Sequence, residues 1–175
     1  NHSLGLSGAF GGLLVNNGAT ANFGTQGGTL RVGVSGNSGS QGDATAANGG
    51  TLNTGHIEIA TNTSGAIGSV NVTDSGSLIH QTLTGANLTV GSASGGAGTI
   101  NVTNDGTFTT GAGTTTINAT GTVNVGLVGA GTFNANGPVN IVGGTLDVGS
   151  NDALDLAPGQ TVAASSGGQI DVGGA

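Results

Sequence analysis

From Thr99 onward the chain is written in short words of alternating apolar and polar residues. Ile100-Asn101-Val102, Val123-Asn124-Val125, Val139-Asn140-Ile141, Leu146-Asp147-Val148, Leu154-Asp155-Leu156 and Ile170-Asp171-Val172 are of this kind. Between them stand single apolar residues, Phe108, Ile117, Phe133 and Val162, among small polar neighbours. Alternation of period two marks a strand with one face buried. Gly, Asn-Gly and Ser-Gly steps separate the words, as turns require. The words recur. Asn101, Asn124, Asp147 and Asp171 are spaced by 23, 23 and 24 residues. Two further faces run Phe108, Phe133, Leu156 and Ile117, Val139, Val162. Three ladders at one period predict turns of about 23 residues with three short strands each, stacked about 4.8 Å apart.

An earlier echo has a longer period. Val70-Asn71-Val72-Thr73 returns 30 residues later as Ile100-Asn101-Val102-Thr103. The segment Ser92 to Gly98 reads as an insertion that lengthens one corner. Farther upstream, Leu13-Val15, Phe23, Leu30-Val32, Leu52 and Ile57-Ile59 read as strands, and Ser35 to Gly50 as a long Gly, Ser and Ala loop. The expected fold is therefore all-β: a single parallel β-helix over residues 1–175, with less regular first turns over 1–54 and regular turns over 55–175. No window carries the 3.6-residue period and strong helix formers that a helix needs. Neither Asn1 to Gly12 nor the segment after Val172 reads as a polar cap, so the end turns are expected to expose sheet edges.

In such a stack the residues sort by direction. Ile100, Val102, Val123, Val125, Leu146, Val148, Ile170 and Val172 form the inward stacking core. Asn101, Asn124, Asp147 and Asp171 form an outward ladder, in which amides bond along the stack as in cross-β structures.

Composition narrows the function. Charged residues make up 5% of the 175 residues, Gly supplies 39, and the aromatics are four Phe. Ordinary globular surfaces carry roughly a quarter charged residues, so Thr, Asn and Ser must wet this one. The net charge is −7, and Arg31 is the one basic side chain apart from three His. Nucleic acid and anionic membranes both call for Lys and Arg, so neither is an expected partner. No stretch approaches the roughly 20 apolar residues of a membrane-spanning helix. No signal peptide is visible, so the sequence is expected to be a mature product or an excised segment. Cysteine is absent, which removes disulfides and thiolate metal sites. The near absence of Lys and Arg leaves little for trypsin-like proteases, in keeping with an extracellular or cell-surface setting.

The words Asn87-Leu88-Thr89-Val90-Gly91, Gly95-Gly96-Ala97-Gly98-Thr99-Ile100-Asn101-Val102 and Asp105-Gly106-Thr107-Phe108 resemble repeats of large bacterial surface proteins, namely autotransporter passenger domains and related filamentous adhesins. The resemblance covers Gly55 to Ala175. It implies a right-handed parallel β-helix, export across a bacterial envelope, and work at the cell surface or in a biofilm matrix. With no translocator barrel in the sequence, it implies a passenger fragment or a small stand-alone relative. It supplies no catalytic motif.

Site chemistry is sparse. His56-Ile57-Glu58 places His and Glu on one strand face, with His80 stacking nearby, as a metal or acid-base site would need; solvated strand positions are the better reading, since no third ligand or nucleophile has suitable spacing. Asp147 and Asp171, if stacked about 5 Å apart, repel by about 0.8 kcal/mol in water. Ca²⁺ would relieve this, with Asp152 and Asp155 in reach at a corner. Without a cation, the two carboxylates would splay apart and stay hydrated. Without Lys there is no phosphate loop of the Walker type, and no Ser carries a matched His and Asp. The sequons at Asn62, Asn71, Asn87, Asn101 and Asn118 are those expected by chance in a chain rich in Asn and Thr.

The leading expectation is a structural or adhesive extracellular solenoid that is not an enzyme and needs no cofactor, calcium apart. Its expected partners are copies of itself, head to tail or laterally, and surface or matrix polysaccharide. An ice-binding solenoid is the second class. Its Thr-x-Thr words, at Thr61-Asn62-Thr63, Thr82-Leu83-Thr84, Thr107-Phe108-Thr109, Thr114-Thr115-Thr116 and Thr120-Gly121-Thr122, do not recur at the turn period and so build no two-wide Thr array. A polysaccharide lyase, the third class, needs basic and aromatic residues that one Arg and no Trp or Tyr do not supply.

Overall fold

A computed structural model describes residues 2–5, 9–24, 26–34, 39–61 and 64–174. Asn62 and Thr63, and Ser35 to Ser38 of the expected loop, lie outside them. The described residues form strands and turns, without a helix. The first turn holds β1 (His2–Leu4), β2 (Phe10–Val15) and β3 (Thr20–Phe23); the second β4 (Thr29–Val32), β5 (Gln41–Ala46) and β6 (Thr51–Thr54). The third holds β7 (His56–Ile59), β8 (Ile67–Thr73) and β9 (Leu78–Gln81); the fourth β10 (Leu88–Val90), β11 (Ala97–Thr103) and β12 (Gly106–Thr109). The fifth holds β13 (Thr115–Asn118), β14 (Gly121–Val125) and β15 (Gly131–Ala135); the sixth β16 (Val139–Val142), β17 (Thr145–Gly149) and β18 (Ala153–Leu156). β19 (Val162–Ser165) and β20 (Gln169–Gly174) begin a further turn.

Every third strand pairs in parallel with the last. The first sheet runs β1-β4-β7-β10-β13-β16-β19, the second β2-β5-β8-β11-β14-β17-β20, and the third β3-β6-β9-β12-β15-β18. The result is a parallel β-solenoid of about 6 turns with about three strands per turn. Turns average about 27 residues, so the expected 23 holds for the second sheet from β11 to β17, where Asn101 pairs with Asn124 and Asn124 with Asp147. The longer third-to-fourth repeat is taken up largely in a corner. Residues 91–96 join β10 to β11, where two residues, 119–120, join β13 to β14. The expected loop over 35–50 contains β5 instead.

Two inward positions per strand fill the core. In the second sheet Val70, Ile100, Val123 and Leu146 make one buried column and Val72, Val102, Val125 and Val148 the other. In the third, Leu52, Ile79, Phe108 and Phe133 stack in register, with the two Phe rings 5.4 Å apart and near parallel. The next member is Leu154, which pairs with Phe133, while Leu156 pairs with Ala135. The expected third ladder also shifts by two. Ile117 pairs with Ile141, and Val139 pairs with Thr115 below and Val162 above. A shift of two keeps a side chain on the same face, so both columns remain inward.

Corners place backbone where side chains would otherwise go. Gly68, Gly98 and Gly121 stack between the first and second sheets. A Cβ on Gly121 would lie 2.3 Å from the Val90 carbonyl oxygen. The corner between the second and third sheets turns on left-handed Asn17, Asn48, Asp74 and Asn104, with φ of 53°, 50°, 73° and 50°. Asn and Asp tolerate that region better than other residues with a Cβ.

Candidate functional site

The most regular exposed feature is the outer face of the second sheet. Period two sends Ser69, Asn71, Thr99, Asn101, Thr122, Asn124, Thr145 and Asp147 outward, between buried neighbours. They fall into two columns. The hydroxyl column is Ser69, Thr99, Thr122, Thr145, and the amide column is Asn71, Asn101, Asn124, then Asp147 and Asp171. Asn124 Nδ2 donates to Asn101 Oδ1 at 2.9 Å, and Asn101 Nδ2 to Asn71 Oδ1 at 2.8 Å. Asn71 Nδ2 donates to Asp43 Oδ1 at 2.8 Å. The same carboxylate accepts from Ser69 Oγ at 2.5 Å and Thr45 Oγ1 at 2.9 Å. A half-buried acid that accepts three donors is an anchor for the ladder, since charge-assisted bonds are shorter and stronger than neutral ones.

At the other end the ladder runs out of donors. Asp147 stacks on Asn124 and Asp171 on Asp147, and ionised carboxylates only accept. The two acids are thus in register as expected. Of the other acids named with them, Asp155 lies elsewhere, on the third sheet beside Asn134. Asp152 lines a shallow cleft of about 360 Å³ with Asp147, Gly126, Leu127 and Gly149. There its Oδ1 accepts the Gly131 N–H at 2.7 Å. Among the described residues no three His, Asp or Glu side chains gather as a metal-binding group. Ca²⁺ takes six to eight oxygens, and this pair offers two carboxylates.

The imidazoles separate. His56 and Glu58 share the outer face of the first sheet, while His80 lies on the third, between Asn53 and Thr109. His56 Nδ1 accepts the Asn87 N–H at 3.0 Å, which leaves the ring proton on Nε2. Glu58 Oε2 accepts from Arg31 Nε at 2.9 Å. His56 and Glu58 thus have structural partners.

The stacking-core candidates divide by position. Ile100, Val102, Val123, Val125, Leu146 and Val148 are buried, whereas Ile170 and Val172 are 40% and 71% exposed in the last strand. Asp43 was not among the sequence candidates, because the two donors that tie it to the ladder, Ser69 and Asn71, follow it by 26 and 28 residues. The hydroxyl column was legible in hindsight, as the word Ser/Thr-x-Asn/Asp four turns running. No family model matches this chain, and comparison with curated proteins and solved structures gives no match either.

Proposed function

We propose that the chain is a structural or adhesive β-solenoid of the extracellular or cell-surface setting, joining end to end with copies of itself. One observation carries the reading. The layers stack in register, with Val70, Ile100, Val123 and Leu146 in one buried column and Val72, Val102, Val125 and Val148 in the other. A layer of another copy laid on such a stack in the same register would continue it without new chemistry. Contact of a last turn with the first turn of another copy is heterologous and does not close, which yields fibres. The low charge supports this, because few like charges oppose stacking.

The test is sedimentation velocity across a concentration series, with and without a calcium chelator. Growing species that persist in chelator are expected. In Val125→Lys, an unpaired ammonium replaces a fully buried side chain. The cost of burying an isolated charge exceeds the stability of most domains, so both the fold and the growing species are expected to disappear. A single sedimenting species at every wild-type concentration would overturn end-to-end joining and leave the flanks as the working surfaces.

A further inference from the structure

We propose that the outer face of the second sheet binds ice through an ordered layer of water. The word that recurs at the turn period is not Thr-x-Thr but hydroxyl-x-amide: Ser69-Val70-Asn71, Thr99-Ile100-Asn101 and Thr122-Val123-Asn124, followed by Thr145-Leu146-Asp147. These four rows pair without a shift, and the first irregularity falls beyond them, between Val148 and Gly149. The polar groups therefore form a rectangular lattice. Its sides are about 4.8 Å between strands and about 6.6 Å between alternate residues of a strand. The shorter side lies near the short oxygen repeat on the prism face of hexagonal ice; the longer side falls short of that face's other repeat, a misfit taken only once across a lattice two columns wide.

Three properties suit this lattice to water rather than to another occupant. First, it is held in place before anything binds. Thr is stiff at χ1, and the Asn amides are locked to one another along the stack. Second, its hydrogen bonds are open. Among the described residues no protein group engages the Thr99, Thr122 or Thr145 hydroxyl, and the Asn101 and Asn124 amides each keep a second N–H. Third, no charge interrupts it between Asp43 and Asp147. A sugar polymer would favour aromatic platforms, and the chain has no Trp or Tyr. A second copy placed on this face would exchange water for equivalent polar groups while burying little apolar area, which is weak driving force.

The proposal concerns the flank and is independent of end-to-end joining. It is tested by thermal hysteresis and ice-crystal shape with the intact chain, beside Thr122→Lys and Thr99→Lys on the face and Thr132→Lys on the third sheet. Far-UV circular dichroism checks that each variant is folded. These side chains are half-buried and point outward, so a Lys head can reach water. The expected result is hysteresis with faceted crystals for the wild type and for Thr132→Lys, and loss to background in either folded variant of the face. Absence of hysteresis in the wild type overturns the proposal whatever the variants do. So does hysteresis that survives both substitutions on the face, or that is lost in folded Thr132→Lys. Retention on crystalline polysaccharide without hysteresis also overturns it and assigns the face to sugar.

Discussion

Thr115 stands in the wall of the core between Leu88 and Val139. It is fully buried, and its Oγ1 has no hydrogen-bond partner. A hydroxyl in that state keeps its desolvation cost without compensation. Thr115→Val keeps the branched shape and removes the cost. It is expected to raise stability by about 1 kcal/mol, read as a higher denaturant midpoint at unchanged slope. A lower midpoint would mean that the hydroxyl has a partner, such as a buried water. Gln81 is the opposite case. Also buried, it donates from Nε2 to the Gly55 and Asn87 carbonyls and accepts the Gly111 N–H at Oε1. Nothing local distinguishes the two residues in the sequence. Thr115 lies within a Thr run and Gln81 within Leu-Ile-His-Gln. Their difference arises from corner backbone of adjacent turns, whose distance depends on corner length rather than on residue type.

At the scale of the strand, the amide ladder explains why Asn recurs where any polar residue would face water. An Asn side chain can both accept and donate, so one identity at every rung propagates a single chain of bonds from Asn124 through Asn101 to Asn71. Asp147 ends it. Asp147→Asn is expected to add a bond from Nδ2 to Asn124 Oδ1 and to relieve the like-charge contact with Asp171. The gain should be about 0.5–1.5 kcal/mol, measured as a shift of the thermal midpoint at low salt. No gain, or a loss, would indicate that a bound cation already neutralises the Asp147–Asp171 pair. The second sheet was legible because its words repeat nearly unchanged and its changes of corner length cancel, which keeps Asn101, Asn124 and Asp147 at one spacing. The other two sheets were legible only to within two residues. Each of their strands offers two inward positions, and the corners decide whether Phe133 meets Leu154 or Leu156. β5 was read as loop for another reason. Its inward residues are Ala44 and Ala46, too small to give an apolar signal, yet sufficient where Val70 and Val72 above fill the space.

At the scale of the molecule, a solenoid turn cannot bury its own core. Each layer depends on the next, so stability spreads by nearest neighbours along the stack. The same dependence leaves the end strands incomplete, with β18, β19 and β20 partly or wholly exposed at positions that are buried one layer below. The three-sheet plan, the direction of the ladders and the exposure of the ends all follow from period two and the repeat. What the repeat does not carry is how two copies would meet; among the described residues the third sheet has six strands where the others have seven.

Cryo-electron microscopy of the concentrated protein, with helical reconstruction, tests end-to-end joining directly. With parallel strands stacked in three sheets, the account predicts filaments with a continuous layer spacing of ~4.8 Å along the axis. Single short rods at every concentration, or filaments whose strands do not lie across the axis at that spacing, would contradict it.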